Sequence, residues 1–259
     1  MNRVVAENVL DVQGVAMVFG GLMALSNLNF QVKKGTIKAV IGPNGAGKTT
    51  LFNIITGSFP PTKGMVKFKG RSIEHLKAHK IAGLGISRTF QTVELFSNMT
   101  ILENVMIGCH TRVRTSFMSS GLKLPRSNRK EAEIRDRAMK ILRFIGLGEK
   151  INEPADNLPL GEQKILEIGR ALASEPELVC LDEPAAGLNE TETHVASSLI
   201  KAINARGITV LLVEHDMKVV MNISDEILVL NYGQKIAEGS SEDIRNNPRV
   251  IEAYLGGEA

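Results

Sequence analysis

Ten consecutive residues, Ile41-Gly-Pro-Asn-Gly-Ala-Gly-Lys-Thr-Thr50, have the composition and spacing of a phosphate cradle. From Gly42 to Thr49 they match Gly-x-x-x-x-Gly-Lys-[Ser/Thr], and they stand between an apolar run, Lys38-Ala39-Val40-Ile41, and a helical pattern beginning near Lys48. In that setting Gly42, Gly45 and Gly47, with Pro43, Asn44 and Ala46 between them, let the backbone curl so that N–H groups point inward at phosphate oxygens. The positive end of the following helix adds to the field. Lys48 is expected on the β- and γ-phosphates, the Thr49 hydroxyl on Mg²⁺, and Thr50 on a further phosphate oxygen.

Three strand ends carry four more residues that fit phosphoryl chemistry. Leu178-Val179-Cys180-Leu181-Asp182-Glu183 is an apolar strand ending in two carboxylates. The carboxyl ends of parallel strands converge on such a loop, so Asp182 is expected to hold Mg²⁺ through water. Adjacent strand residues point opposite ways, which would leave Glu183 to orient and deprotonate the attacking water, a contribution of ~10²- to 10⁴-fold in rate. His215 follows a second apolar strand and is placed to donate to the γ-phosphate or the water. Gln91 ends a third. Phe19, beside Gly20-Gly21, reads either as a ring that stacks on a nucleotide base or as an aromatic at the edge of the core.

The elements that must position these residues follow from pattern. Val9 to Ile41 reads as antiparallel strands leading into the phosphate loop, which opens a helix through Ile55. Met65-Val66-Lys67-Phe68-Lys69 alternates, and Glu74 to Leu84 has helical spacing. That spacing puts His75 and His79 one turn apart, as a solvated face more readily than as metal ligands. From about 91 to 173 the pattern is almost wholly helical: 101–109 behind the capping box Thr100-Ile-Leu-Glu103, 128–146, and 161–172. Alternation then resumes, with a strand at 178–182, a helix 190–206 capped by Asn189, a strand 208–213, a short helix 217–222, a hairpin 226–238, and a helical tail broken at Asn247-Pro248. The expected fold is α/β, with an antiparallel β subdomain and a helical segment inserted at about 91–173 in one domain spanning 1–259.

The bulk numbers agree with an ordinary globular protein. The chain has 259 residues, 43% apolar and 23% charged, with a net charge of +3. That charge is too small to argue for a nucleic-acid partner. No apolar stretch reaches the roughly 18 residues of a membrane span, and the first residues lack the apolar core of a signal peptide. A cytoplasmic location is therefore expected. Cys180 reads as a small core residue. Arg112, Arg114, Lys123, Arg126, Arg129 and Lys130 form a basic stretch that reads as an exposed loop.

Phosphate loop, glutamine after a strand, Asp-Glu pair and late histidine, in that order, resemble the ATP-binding cassette (ABC) ATPases from about Val9 to Glu238. The resemblance implies a P-loop NTPase core that binds ATP and Mg²⁺, with Gln91 sensing the metal and coupling to the helical lobe. Leu158-Pro-Leu-Gly-Glu-Gln163 falls on the family signature Leu-Ser-Gly-Gly-Gln, keeping Gly161 but carrying Pro159 for the serine; proline has no hydroxyl or N–H to offer a phosphate. Ala186-Gly-Leu-Asn189 falls on the D-loop, with Asn189 for the usual aspartate. Two such cassettes are implied to pair head to tail, each ATP lying between one phosphate loop and the other signature.

The form of the signature, Asp-Glu-Pro-Ala-Ala-Gly-Leu-Asn189, Glu214-His-Asp-Met-Lys218 and the ending Ile-Arg-Asn-Asn-Pro are similar to ATP-binding subunits of bacterial branched-chain amino-acid importers. That resemblance implies a second ATPase subunit, two integral membrane permease subunits and, indirectly, an external substrate-binding protein, with this chain on the cytoplasmic face of the membrane. Alternatives are an exporter cassette or a soluble ABC protein working on ribosome or DNA. A guanine-nucleotide reading lacks an Asn-Lys-x-Asp motif.

Overall fold

The computed structural model describes residues 7–91, 93–109 and 125–255. Arg112, Arg114 and Lys123 of the basic stretch lie outside them.

Five consecutive buried residues, Ile37–Ile41, form β3, the centre of a parallel sheet. Its neighbours are β8 (Thr209–Val213) and β9 (Glu226–Asn231); beyond β8 come β7 (Leu178–Asp182) and β6 (Ile86–Arg88). β10 (Gln234–Gly239) closes the other edge antiparallel, giving the order β10-β9-β3-β8-β7-β6. The phosphate-loop strand and the Asp-Glu strand are thus separated by β8 alone. At ~4.8 Å per strand their carboxyl ends lie about 10 Å apart, a gap that a phosphate chain with its metal can span.

Strand alternation gives this sheet two apolar faces. Val40, Cys180, Leu211, Val213 and Leu228 pack on Leu51, Phe52, Ile54 and Ile55 of α1 (Lys48–Ile55). The same core takes in an antiparallel sheet of β1 (Asn8–Phe19), β2 (Leu22–Lys33), β4 (Lys63–Phe68) and the short β5 (Arg71–Ser72), so α1 is held between two sheets. On the opposite face Val179, Leu181, Val210 and Leu212 join a core with α3 (Ile101–Cys109), α4 (Pro125–Phe144), α5 (Leu160–Leu172) and α6 (Glu190–Ala205). The chain thus places α3, α4 and α5 between β6 and β7. Flanking β3 and β9, α7 (Met217–Ile223), α8 (Ser241–Arg245) and α9 (Pro248–Leu255) bury Val220, Ile244 and Val250.

Several expectations change. β1 and β2 are 12 residues each, far longer than their alternating segments, because the turn at Gly20-Gly21 joins them into one hairpin whose pairing runs on through several bulges. The helix expected from Glu74 is α2 (Ala78–Leu84), which begins only at Ala78. His75 therefore lies in the turn before it and shares no helix face with His79. Among the described residues no cluster of three or more His, Cys, Asp or Glu could hold a metal ion. β6 ends at Arg88, leaving Gln91 in a bend beyond it. Cys180 and Cys109 are both buried, and burial pushes the Cys180 thiol up to about 12. Among the described residues no helix is long and apolar enough to cross a membrane.

A buried cation binds the two sheets together. Lys38, on β3 and 1% exposed, donates to the Gln31 carbonyl of β2 and to Glu226 at 2.8 Å each, and also pairs with Glu238. Its ammonium lies 5.6 Å from the Phe30 ring centroid. Burial pushes the Glu238 carboxyl up, but hydrogen bonds from Lys235 and Lys38 outweigh it and leave the group below its ordinary range. A lowered carboxylate contributes stability above its unfolded value that is lost as pH falls through the folded one. Lys38→Met is expected to cost about 1–3 kcal/mol at neutral pH, because the Gln31 carbonyl and Glu226 lose their donor while Glu238, partly exposed, keeps Lys235. Its acid-induced loss of stability below about pH 4.5 should also be shallower; urea unfolding at several pH values measures both.

Candidate nucleotide site

The loop between β3 and α1 can only be made with glycine at two of its turns. Gly42 has φ +152°, and a Cβ there would stand 2.1 Å from the Leu230 carbonyl oxygen. Gly47, at φ +98°, would put a Cβ 2.7 Å from the Ala24 oxygen. The loop is braced by Ala46 N donating to the Pro43 oxygen and Gly233 N to the Ala46 oxygen, both at 3.1 Å. No side chain caps α1, so the first N–H groups of that helix are not neutralised from within. Lys48 curls back over the loop, donating to the carbonyls of Gly42 at 2.7 Å and Pro43 at 3.0 Å. An ammonium has three protons, so one remains for a ligand. Burial pushes its pKa down, and the charges of Glu183 and Asp182 oppose that shift. Thr49 is exposed and Thr50 half-buried at the mouth of the loop.

Asp182 closes β7 at 3% exposure and is paired with Arg88 of β6, Nη2 to Oδ2, at 2.7 Å. Arg88 also donates to Asn53 Oδ1 of α1 at 2.6 Å, and its guanidinium lies between the rings of Phe52 and Phe90. Glu183 lies just past the strand with φ +49°. Strand alternation is therefore not what separates the two acids; a left-handed residue re-aims the chain after Asp182. The Glu183 N–H donates to the Val213 carbonyl at 2.9 Å. Its Oε2 accepts from Gln91 Nε2 at 3.2 Å and stands 3.7 Å from His215 Nδ1. The structure thus brings Gln91, Glu183 and His215 to one point, with Lys48 in the field of Glu183.

Behind them lies a residue the sequence did not single out. Glu214 is fully buried and accepts from the N–H groups of Ala185 at 2.7 Å and His215 at 3.1 Å. Burial pushes its carboxyl up, and these backbone hydrogen bonds pull against that. It pins the chain after Glu183 to the chain at His215. Arg88 was also unremarked; its only signal was a cation inside the strand-like stretch before Gln91.

Other expected site residues share no hydrogen bond or ion pair with Gln91, Glu183 or His215 among the described residues. Gly161, in the first turn of α5, faces α6: a Cβ there would lie 2.8 Å from Glu192 Oε1. Pro159 occupies the N-cap and offers no side-chain cap. Asn189 spends its side chain on a capping box, accepting from Glu192 N at 2.9 Å while Glu192 accepts from Asn189 N. Phe19 is 44% exposed and packs one edge against Phe59, with ring centroids 5.5 Å apart.

A glycine cradle, an inward lysine and a carboxylate cluster two strands away define an ATP-hydrolysing cassette, and the chain belongs to the ABC transporter family, whose model matches residues 25–186. The segment 234–259 matches a second model, described as branched-chain amino acid ATP-binding cassette transporter. The high-affinity branched-chain amino acid transport ATP-binding protein LivG of Escherichia coli K12 is 47% identical over 97% of this chain and 99% of its own length. The corresponding protein BraF of Pseudomonas aeruginosa is 45% identical over 96% and 98%. A crystal structure of an ABC transporter cassette in its ADP conformation superimposes with a TM-score of 0.85 at 35% identity, covering 96% of this chain and 99% of that one. A dimeric cassette bound to ADP and Pi gives 0.75 at 27%, covering 90% and 98%.

Gly42→Ala is expected to weaken nucleotide binding at least about tenfold and to destabilise the fold by roughly 1–3 kcal/mol, because the added carbon meets a backbone oxygen that cannot yield. Titration with a fluorescent ATP analogue and thermal unfolding give the two readouts.

Proposed function

We propose that this chain is the ATP-hydrolysing subunit of an ABC importer for branched-chain amino acids, acting at the cytoplasmic face of the membrane. The observation that carries the catalytic part is the meeting of Gln91, Glu183 and His215 beside the Lys48 loop. The relatives at 45–47% identity and the match of the C-terminal segment support the substrate class.

In this reading the loop amides from Gly42 to Thr50 and the third Lys48 proton hold the β- and γ-phosphates of ATP. Phe19, half-open beside Gly20-Gly21, is the ring offered to the base. The exposed Thr49, with Asp182 at the end of β7 and Gln91 beyond the end of β6, would hold Mg²⁺, which would neutralise charge on the transferring phosphoryl group. Glu183 takes a proton from water as the water oxygen bonds to the γ-phosphorus and the bond to the ADP oxygen breaks. His215, free to present a ring N–H, donates to the γ-phosphate oxygens.

The dimeric cassette of 27% identity supports pairing with a second ATPase subunit, which we read as head to tail, with the uncapped α5 N-terminus offered to the partner's nucleotide. A cavity of about 370 Å³ beside β6 and α3 is lined by Phe90, Phe96, Ala82 and Arg170. Its two phenylalanines are 43% and 46% exposed, an apolar surface suited to a membrane permease subunit. The external binding protein engages only through those permeases.

Glu183→Gln is expected to bind ATP and accumulate an ATP-bound dimer while turnover falls by ~10² or more; turnover at the parental rate would remove Glu183 as the base. Lys48→Ala should lose ATP binding. For transport, co-purified membrane partners reconstituted in vesicles should accumulate labelled leucine only with ATP, and uptake that ignores the Lys48→Ala change would exclude this chain as the motor.

A further inference from the structure

One face of α5 grips the backbone around the site with three charged side chains. Lys164, Glu167 and Arg170 follow at i, i+3 and i+6. Lys164 Nζ donates to the Glu183 carbonyl at 2.9 Å, Glu167 Oε1 accepts from Phe90 N at 3.0 Å, and Arg170 Nη1 donates to the Glu94 carbonyl. The first two are 8% and 3% exposed. Burial lowers the Lys164 ammonium's pKa, with Glu214, Glu167 and Glu183 pulling it back. A methionine would fill the same space without desolvating a charge, so filling space does not explain a lysine here.

What the lysine does is hold a strained peptide. A non-glycine residue at φ +49° persists only where its surroundings over-determine it, at a cost of order 1–3 kcal/mol. Glu183 is held on both sides, its N–H by the Val213 carbonyl and its own carbonyl by the Ala186 N–H at 3.1 Å and by Lys164, the one side chain among these holds. We infer that Lys164 is a positioning residue for ATP hydrolysis: its hydrogen bond fixes the backbone from which the Glu183 carboxylate reaches the attacking water, and ties that carboxylate to the orientation of α5. The inference rests on the proposed reading of Glu183 as the base. Because α5 starts at Gly161, a tilt of that helix reaches the Glu183 backbone through Lys164, beside the separate hold of Glu167 on Phe90 N.

The test measures kcat, ATP KM and thermal stability together. Lys164→Met, which keeps length and removes the donor, is expected to lower kcat by about 10²-fold, the scale of a small misplacement of a catalytic group, at nearly constant KM. Lys164→Arg, which retains donors, should recover most of the loss. In a Glu183→Gln background, single-turnover hydrolysis should fall no further on adding Lys164→Met, since both changes act on one group. An unaltered kcat in Lys164→Met beside an inactive Glu183→Gln overturns the positioning role alone, and so does a full additional loss in the double variant. Turnover at the parental rate in Glu183→Gln overturns the base reading instead. Should the methionine unfold the buried site, Lys164→Leu removes the donor on a shorter stem: reduced kcat at constant KM supports the role, and parental kcat overturns it.

Discussion

The site depends on keeping one ammonium charged inside the protein. Lys48 is buried, which disfavours its charge, and two carbonyls with two carboxylates oppose that penalty. Those carboxylates come from the last residue of β7 and the one after it, and the distance of β7 from β3 is set by the intervening β8 ladder. Sheet register is therefore an electrostatic constraint as well as a structural one. A shift of one residue in β7 would turn Asp182 to the other face and expose its charge to the apolar core.

The acids at the edge of the sheet are kept distinct by their neighbours. Asp182 is held by Arg88 and is nearly inaccessible, while Glu183 lies half-buried in contact with polar side chains from two other segments. Two adjacent carboxylates in the same environment would repel and share a proton. Pairing one with a guanidinium and turning the other out through a left-handed residue removes that conflict. Arg88 carries a second consequence, because the ring of Phe90 that covers it also lines the open cavity beside α3. A partner seated in that cavity would press on the residue that neutralises Asp182.

Much of this was legible before any coordinates. The phosphate loop combines a fixed spacing with a strand before it and a helix after it, and α1, β7, α3 and the Asn189 cap begin where local pattern put them. Strand order was not legible, since pairing of β3 with β8 and β9 joins residues more than 150 positions apart with no local signal. The same limit hid Arg88, Lys164 and Glu214. Each is a common charged residue in an unremarkable stretch, and only the fold makes it a buried ion with a partner. His75 failed for the reverse reason: a helical period extended over residues that the turn after β5 had already claimed.

The departures around the signature position are compatible with one another once the helix ends are considered. Pro159 brings a fixed φ and no N–H, and at a helix N-terminus that N–H would have lacked an internal partner in any case. Glu162, the one acid in the first turn of α5, is drawn aside by Lys150 at 2.6 Å. Glu192 is engaged by the Asn189 capping box and fills the space beside Gly161, so a side chain there would have to push that carboxylate aside. The result is a 13-residue helix whose positive end is left without a side-chain cap or an unpaired carboxylate in its own first turn. A serine hydroxyl would add one hydrogen bond to a phosphate; the backbone N–H groups and the dipole remain without it. In the head-to-tail dimer proposed above, recognition of the partner's nucleotide at this end rests on the main chain, which is why glycine at 161 matters more than the residue two places before it.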